Sequence, residues 1–582
     1  MRRCQSLICR LVLVACASAP AGALAFDFSA GKDFAGYWNN TLAAGVTLRG
    51  TNADYQLIGS ANSNQYPGSF GAVTVNDDSN LNYPHAGNVV AAPLTLVSEL
   101  NLLFQGRYGA FVRLRGWYDI ALENTGVPHG NVPNGYTPGA SLSDSGFRMA
   151  NRFFGAQITD AFLQGSFALG DVGMFLRLGR QTVNWGQGQL YPGINSFNPL
   201  DVSWLLRPGG GVLDDGFLPL TRLYMSFQFP GGLTLDGFYN FEWASSNLPA
   251  CGEWGSFLDT AFDAGCNKAT PAIGVPDREV LQKGLAINSL NNISASTWNQ
   301  FGLAARYFLE PIATQFALYY VRFNSVNPVV NISHGASPSA IEVASVYPGG
   351  VQELALSISS GIRNFTFYGE LLTTFGQPFQ RNFPSLIQGA VNAQGPYAAG
   401  IQSTPVGSFF PGYVKLDPIQ FLFGGTVQLP SVVGLSQMLL TVEGNLQGTP
   451  SFPSTNVERL FRNGNFGTAT YNGSCQGGDN VCAVDGFATP WVFGYRLRLQ
   501  ATTYFAGTTI ALTPVVSFSH DVVGYSADGT MVQGRVSGSL ALRLSYRQMA
   551  FVQASGTWFR LDTPYDFLRD RGVYNFSVGA TF

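Results

Sequence analysis

The chain has 582 residues, of which 46% are hydrophobic, 13% aromatic and only 12% charged, with a formal net charge of −3. Soluble domains carry about 25% charged residues, so these charges are too few to clothe a water-facing surface of this size. Beyond the N-terminal leader no run of about 18 apolar residues occurs, which excludes membrane-spanning helices. The 32 Lys+Arg against 35 Asp+Glu leave no basic footprint for nucleic acid, and Gly and Pro punctuate alternating segments rather than forming the tracts of disorder or collagen.

Taken in chain order, the first signal is Met1-Arg2-Arg3, an apolar stretch between Leu11 and Ala17, and Ala23-Leu24-Ala25. A basic head, an apolar core and an A-x-A end predict a secretory signal peptide over 1–25, leaving 26–582 as a single domain. A lipoprotein signal, with Leu13-Val14-Ala15 ahead of Cys16, is the alternative, although Arg10 would shorten its apolar core. Cleavage removes three arginines and no acid, so the formal charge becomes −6. Cys251, Cys266, Cys475 and Cys482 then remain, an even number in an exported chain. Disulfides joining Cys251 to Cys266 and Cys475 to Cys482 are expected; zinc is the competing reading, but the spacings match no common zinc pattern.

From there to the C-terminus, apolar and polar residues alternate with period two. Val112, Leu114 and Tyr118 interleave with Arg113, Arg115 and Asp119, and Leu233, Leu235 and Tyr239 with Thr234, Asp236 and Asn240. Phe493, Tyr495, Leu497 and Leu499 interleave with Gly494, Arg496, Arg498 and Gln500, and Leu540, Leu542 and Leu544 with Ala541, Arg543 and Ser545. Successive strand side chains face opposite ways, so each segment has an oily face and a wet one. Each spans about 10 to 15 residues, the length of a tilted strand crossing a bilayer.

The segments come in pairs joined by tight turns at 106–109, 169–171, 230–232, 310–311, 361–364, 430–431, 506–507 and 546–547. Long Gly-, Pro-, Asn- and Ser-rich stretches separate the pairs, including 51–94, 121–155, 186–218, 244–295 and 448–489. Eight hairpins plus a strand at each end, near 37–50 and 572–582, predict an all-β, up-and-down antiparallel transmembrane barrel of 18 strands, with 16 as the alternative. Both termini and every tight turn then fall on the periplasmic rim, and the long loops outside. A soluble sandwich or solenoid would need more charge, and a solenoid also a repeat of fixed length. The chain ends in an alternating strand with Phe582 last, which resembles the signature that hands barrels to the outer-membrane assembly machinery.

The block Gly179-Arg180-Gln181-Thr182-Val183-Asn184-Trp185-Gly186, continued by Gly193-Ile194-Asn195-Ser196-Phe197-Asn198-Pro199-Leu200-Asp201-Val202, resembles proteobacterial proteins catalogued as domain of unknown function 1302. The similarity extends through Leu218-Pro219 and Gly237-Phe238-Tyr239-Asn240-Phe241-Glu242-Trp243 to Cys251 and Cys266. It implies an outer-membrane barrel, and a setting of uptake or export of hydrophobic compounds beside inner-membrane exporters of the resistance-nodulation-division class. A periplasmic or inner-membrane exporter partner is therefore expected from the resemblance.

A barrel of this strand number keeps an aqueous lumen unless something plugs it. An arginine facing lipid at mid-bilayer costs about 2–4 kcal/mol, so the wet parity faces inward. Arg113, Arg115, Arg177, Arg306, Arg496, Arg498, Arg535 and Arg543, with Asp236, Glu242, Glu353, Glu370 and Glu443, are the expected lumen lining. Eight cations against five acids make a mixed lining, which argues against strong ion selectivity. The 186–218 stretch carries Trp185 at its edge, Tyr191, Phe197 and Trp204 among Gly and Pro, too apolar to float above the rim. It is expected to fold inward as a constriction, with Trp204 and Phe197 meeting substrate and Asp201 or Arg207 anchoring it. Packing against other external loops is the alternative.

The sequence holds four histidines and no nucleophile elbow, P-loop, H-E-x-x-H or EF-hand spacing, so no enzyme and no cofactor is expected. The functional expectation is passive diffusion of a small hydrophobic or aromatic compound through a loop-gated lumen in a Gram-negative outer membrane, among its lipid and lipopolysaccharide. A structural or adhesive barrel, or a component of a lipid export system, is the rival.

Overall fold

The computed structural model describes residues 26–58, 78–131, 137–208, 216–256, 268–269, 275–431, 435, 437–475, 482–547 and 549–582. The expected signal peptide, Cys16 and Cys266 lie outside the described residues.

Eighteen antiparallel strands close into one barrel. They are β1 (Phe34–Arg49), β2 (Pro93–Phe104), β3 (Tyr108–Asp119), β4 (Phe154–Leu169), β5 (Val172–Gln181) and β6 (Leu220–Gln228). Next come β7 (Leu233–Asn240), β8 (Phe301–Leu309), β9 (Thr314–Phe323), β10 (Val351–Ile362), β11 (Phe365–Phe375) and β12 (Ile419–Leu429). The wall ends with β13 (Gln437–Gly448), β14 (Trp491–Tyr504), β15 (Ile510–Val523), β16 (Val536–Tyr546), β17 (Ala550–Phe559) and β18 (Val573–Thr581). Neighbours in sequence pair in order, and β18 returns to β1 with Thr41 opposite Thr581 and Arg49 opposite Val573. No edge is left open, which satisfies every strand in a solvent that offers no hydrogen bonds.

The period-two pattern decides which face each side chain takes. On β10, Leu354 and Leu356 are exposed outward while Glu353 and Ala355 are buried on the inner face. Exposed aromatics gather at both rims of the apolar belt: Tyr108, Tyr307, Tyr504 and Tyr546 near the tight turns, and Tyr118, Phe375, Trp491 and Trp558 near the long loops. This is the interfacial placement that amphipathic rings prefer. All eight expected turns join adjacent strands, so the 16-strand alternative is set aside. The first wall strand starts earlier than expected, at Phe34, because Phe26–Ala30 folds back on it as a further short strand.

The external rim holds structure that reading the loops as irregular did not anticipate. Ile287–Ile293 runs parallel to Glu342–Val346, which pairs antiparallel with Val329–Ser333, which in turn meets Phe409–Phe410. The helix Phe383–Asn392 covers this sheet, burying Leu386 and Ile387 against Val330, Ile332 and Val343. These strands are short and their partners come from distant loops. Nearby, Cys475 and Cys482 form the expected disulfide; Cys251 is also disulfide-bonded.

Candidate solute pathway and its loop

The polypeptide leaving β5 at Gln181 crosses to the inner faces of the opposite strands. Three wall carboxylates hold it there. Glu370 of β11 accepts the backbone N–H groups of Gln187, Gly188 (3.1 Å) and Ile194 (2.9 Å). Glu443 of β13 accepts those of Gln189 (2.5 Å), Leu190 (2.9 Å) and Tyr191 (3.0 Å), together with the Tyr368 hydroxyl. Glu353 of β10 accepts the Ser196 hydroxyl at 3.0 Å. All three carboxylates are buried, and none has an ion-pair partner among the described residues. Several N–H and O–H donors converge on Glu370 and on Glu443, an arrangement that holds an anion well, whereas Glu353 receives the Ser196 hydroxyl alone and its other oxygen has no partner among the described residues. From β14, Arg496 donates to the Leu190 carbonyl and stacks 3.9 Å from the Tyr191 ring centre.

The loop's own sequence explains why it lies this close. Gly193 has φ +50°, and a Cβ there would overlap the Glu370 carboxylate, so only glycine lets the Ile194 N–H reach that acid. Asn195 ties the two limbs together, its Oδ1 accepting from Trp185 N (2.9 Å) and Gly186 N (3.1 Å), while Asn198 donates to the Val183 carbonyl at 2.9 Å. Beneath them Trp185 packs on Phe238 (5.0 Å between ring centres) and Tyr319 (5.8 Å), with Phe197 stacked on Phe238. Gly302 of β8 makes room, since a Cβ there would strike the Phe238 and Trp185 rings.

The returning limb crosses to the first strands of the barrel. Asp201 caps the helical turn Val202–Leu205 by accepting from Trp204 N at 3.1 Å, and also accepts from Asn247. Trp204 lies against Arg115 (4.5 Å), and Arg207 stacks on Trp117 of β3 (4.6 Å) and donates to the Ala150 carbonyl. Burial lowers the Arg207 pKa, opposed by the charges of Asp201 and Glu253. Pro208 reaches Gly45 of β1. The described part of the loop therefore touches β1, β3 and β6 to β14.

The remaining arc is different. The inward residues of β15 to β18 include Ser517, Ser519, Ser537, Ser539, Gln553, Ser555, Thr557, Asn575 and Ser577, with apolar Val515, Ala541, Phe551 and Val573 among them and Arg543 stacked 3.9 Å from the Phe551 ring centre. Most are half-exposed, and no loop residue among those described hydrogen-bonds to them. Across from them, the exposed side chains between 184 and 197 are Asn184, Gln189 and Ser196, all polar.

The expected lining residues Arg113, Arg115, Arg177, Asp236, Arg306, Glu370, Glu443, Arg496, Arg498 and Arg543, and Glu353 with them, occupy the inner parity. Two others do not. Arg535 precedes β16 and sits buried in the external loops, because Asp566 at 2.6 Å and the Thr530 carbonyl at 3.2 Å hold its guanidinium there. Glu242 lies past the end of β7 and pairs with Arg180 at 3.3 Å, on the outward parity of β5. Phe197 and Trp204 were expected to face solute; both are buried, because they are what fixes the loop to the wall. Asp201 anchors the loop to Asn247 rather than to a strand. The principal anchors Glu353, Glu370 and Glu443 had been read as lining, and Asn195 and Asn198 had no assigned role.

These features define a membrane-spanning 18-stranded barrel whose β5–β6 loop is bound to its inner wall. The chain belongs to the family described as "Protein of unknown function (DUF1302)", whose model matches residues 6–582. No curated protein matches it. Similar solved structures include OccAB2 of Acinetobacter baumannii, with 10% identity, 94% of this chain and 98% of that chain covered, and a TM-score of 0.39. OccK9 (OpdG) of Pseudomonas aeruginosa gives 10% identity, 94% and 97% coverage and a TM-score of 0.39. The outer membrane channel DcaP of Acinetobacter baumannii gives 9% identity, 96% and 100% coverage and a TM-score of 0.35.

Proposed function

We propose that the protein is a passive diffusion channel of the Gram-negative outer membrane, with its bore between the wall-bound loop and the inner face of β15 to β18. The observation that carries this reading is the contrast inside the barrel: one arc is covered and packed, while the facing arc keeps half-exposed hydroxyl, amide and guanidinium groups. Water and small solutes can hydrogen-bond to both sides of that gap, to Asn184 and Gln189 on the loop and to Ser539 and Ser555 on the wall. The loop offers no exposed aromatic side chain among its described residues. The loop's polar face therefore favours water-soluble solutes, aromatic or not, over the hydrophobic compounds expected from loop composition. Phe582, hydrogen-bonded through its backbone to Asn40, remains the residue we assign to recognition by the assembly machinery.

Reconstitution tests the reading directly. Purified protein in liposomes should pass small sugars or amino acids in a swelling assay, and replacing 187–197 by a short Gly-Ser linker should raise the rate several-fold. Liposomes that swell no faster than protein-free controls would refute the channel, and an unchanged rate in the linker variant would refute the constriction.

A further inference from the structure

Below the loop, toward the tight-turn rim, the inner faces of β5 to β9 frame an open bay of about 360 Å³ lined by Phe175, Arg177, Tyr224, Gln228, Arg306 and Gln315, with Ser226 and Thr234. Its charges are unequally matched. Arg306 is held by Asp236, which also accepts the Tyr224 hydroxyl at 2.9 Å. On the neighbouring strands Arg113 holds Glu99 at 2.6 Å and Asp160 at 3.5 Å. Arg177 has no carboxylate partner among the described residues. Its guanidinium rests among the rings of Phe162 (5.0 Å), Tyr224 (5.5 Å) and Phe175 (5.9 Å), and its Nε is buried without a hydrogen-bond partner.

A guanidinium presents its N–H groups as a planar fork that matches the two oxygens of a carboxylate. The terminal N–H groups of this guanidinium are not among its buried atoms and make no hydrogen bond to the described residues, so a carboxylate in the bay can meet them with charge-assisted bonds. The bay supplies what a bound carboxylate needs around that fork: amide groups from Gln228 and Gln315, a hydroxyl from Thr234, and the Phe175 ring for an apolar body. No acid lines it to repel an anion. One uncompensated cation fits one negative charge better than two. We propose that this bay is a binding subsite for small organic monocarboxylates, with Arg177 as the residue that grips the carboxylate. Its role as a way-station in transport rests on the channel reading; binding itself does not.

The test is isothermal titration of the detergent-solubilised full chain with sodium benzoate, sodium acetate and sodium phosphate, beside planar-bilayer conductance of the same preparations. Benzoate should bind at millimolar concentration or tighter, Arg177→Gln should weaken it at least tenfold, and Arg177→Lys, which keeps charge but loses the fork, at least threefold. Arg543→Gln, on the bare arc, should leave binding within twofold, and the boiled-versus-unboiled gel shift should show that each variant is folded. Benzoate affinity in Arg177→Gln within twofold of the parent overturns the proposal, as does phosphate binding as tightly as benzoate. Conductance without titration sinks the subsite and spares the channel; titration without conductance does the reverse.

Discussion

The two arcs of the barrel interior solve different problems with the same strand pattern. From β6 to β13 the inward positions include Tyr224, Phe238, Tyr319, Glu353, Glu370, Leu422 and Glu443, all nearly inaccessible because a loop lies over them. From β15 to β18 the inward positions are mostly serine, threonine, glutamine and asparagine, and they stay wet. Both arcs alternate apolar and polar residues, yet the polar residues of the first bind backbone and those of the second meet water. A charged residue at an inward position is therefore not a lining residue until its partner is known. Three of the acids counted in the wall are hidden behind the loop, whereas Arg498 and Arg543 have no carboxylate partner among the described residues. The bore is accordingly more positive than the mixed lining read from the sequence.

The contrast breaks most completely if the covered arc loses its hold on the loop. Glu370→Ala with Glu443→Ala leaves six backbone N–H groups without acceptors, at about 1–3 kcal/mol for each that stays buried. Single-channel conductance should rise several-fold while the folded band persists on unheated gels; conductance equal to the parent would show that the loop does not set the bore. Gly193→Ala attacks the same contact from the loop side, since it adds αL strain of about 1 kcal/mol or more to a steric overlap with Glu370. An intermediate, noisier conductance is the expected record.

The bare arc can be sharpened by charge. Arg543→Glu on this arc, with Arg498→Glu on the adjoining β14, reverses two cations that lack a carboxylate partner among the described residues, so reversal potentials in a KCl gradient should move from anion preference toward cation preference. The shift should shrink as salt rises, because exposed charges are screened within about 10 Å at 0.1 M. A potential that does not move would place the conduction path elsewhere.

How much of this could be read from residues alone follows from how local each signal is. The wall was legible because bilayer and water impose period two on every strand, and tight turns such as Leu169-Gly170-Asp171 mark hairpins without reference to anything distant. The anchors were not. Glu370 and Arg113 look alike in sequence, inward charges on alternating strands, but one meets three N–H groups of a loop about 180 residues away and the other meets Glu99 on the next strand. Gly193 did carry a partial signal, because glycine is the residue that permits a close backbone approach. The partner in that approach could not be named without the fold. The external sheet was missed for the same reason, since Ile287–Ile293 and Glu342–Val346 are joined only in space.

The smallest effect is expected where the loop is held twice. On its returning limb Arg115, Trp204, Arg207 and Trp117 form an alternating stack of cations and rings, with contacts of 4.5, 5.7 and 4.6 Å. Each contact is worth about 0.5–2 kcal/mol, and Arg207→Ala removes two of them and the bond to Ala150. The inner limb stays fixed by Glu370 and Glu443, so conductance should remain within about a factor of 1.5 of the parent. Local opening should nonetheless become easier, because 200–208 then keeps Trp204 on Arg115 and the bonds of Leu200, Asp201 and Ser203 to 151 and 246–247, but loses its link to Trp117 and Ala150. Hydrogen exchange should accelerate in 200–208 and not in 187–197. Acceleration across both stretches would mean that the two limbs open as one unit, and that the carboxylates alone do not hold the inner one.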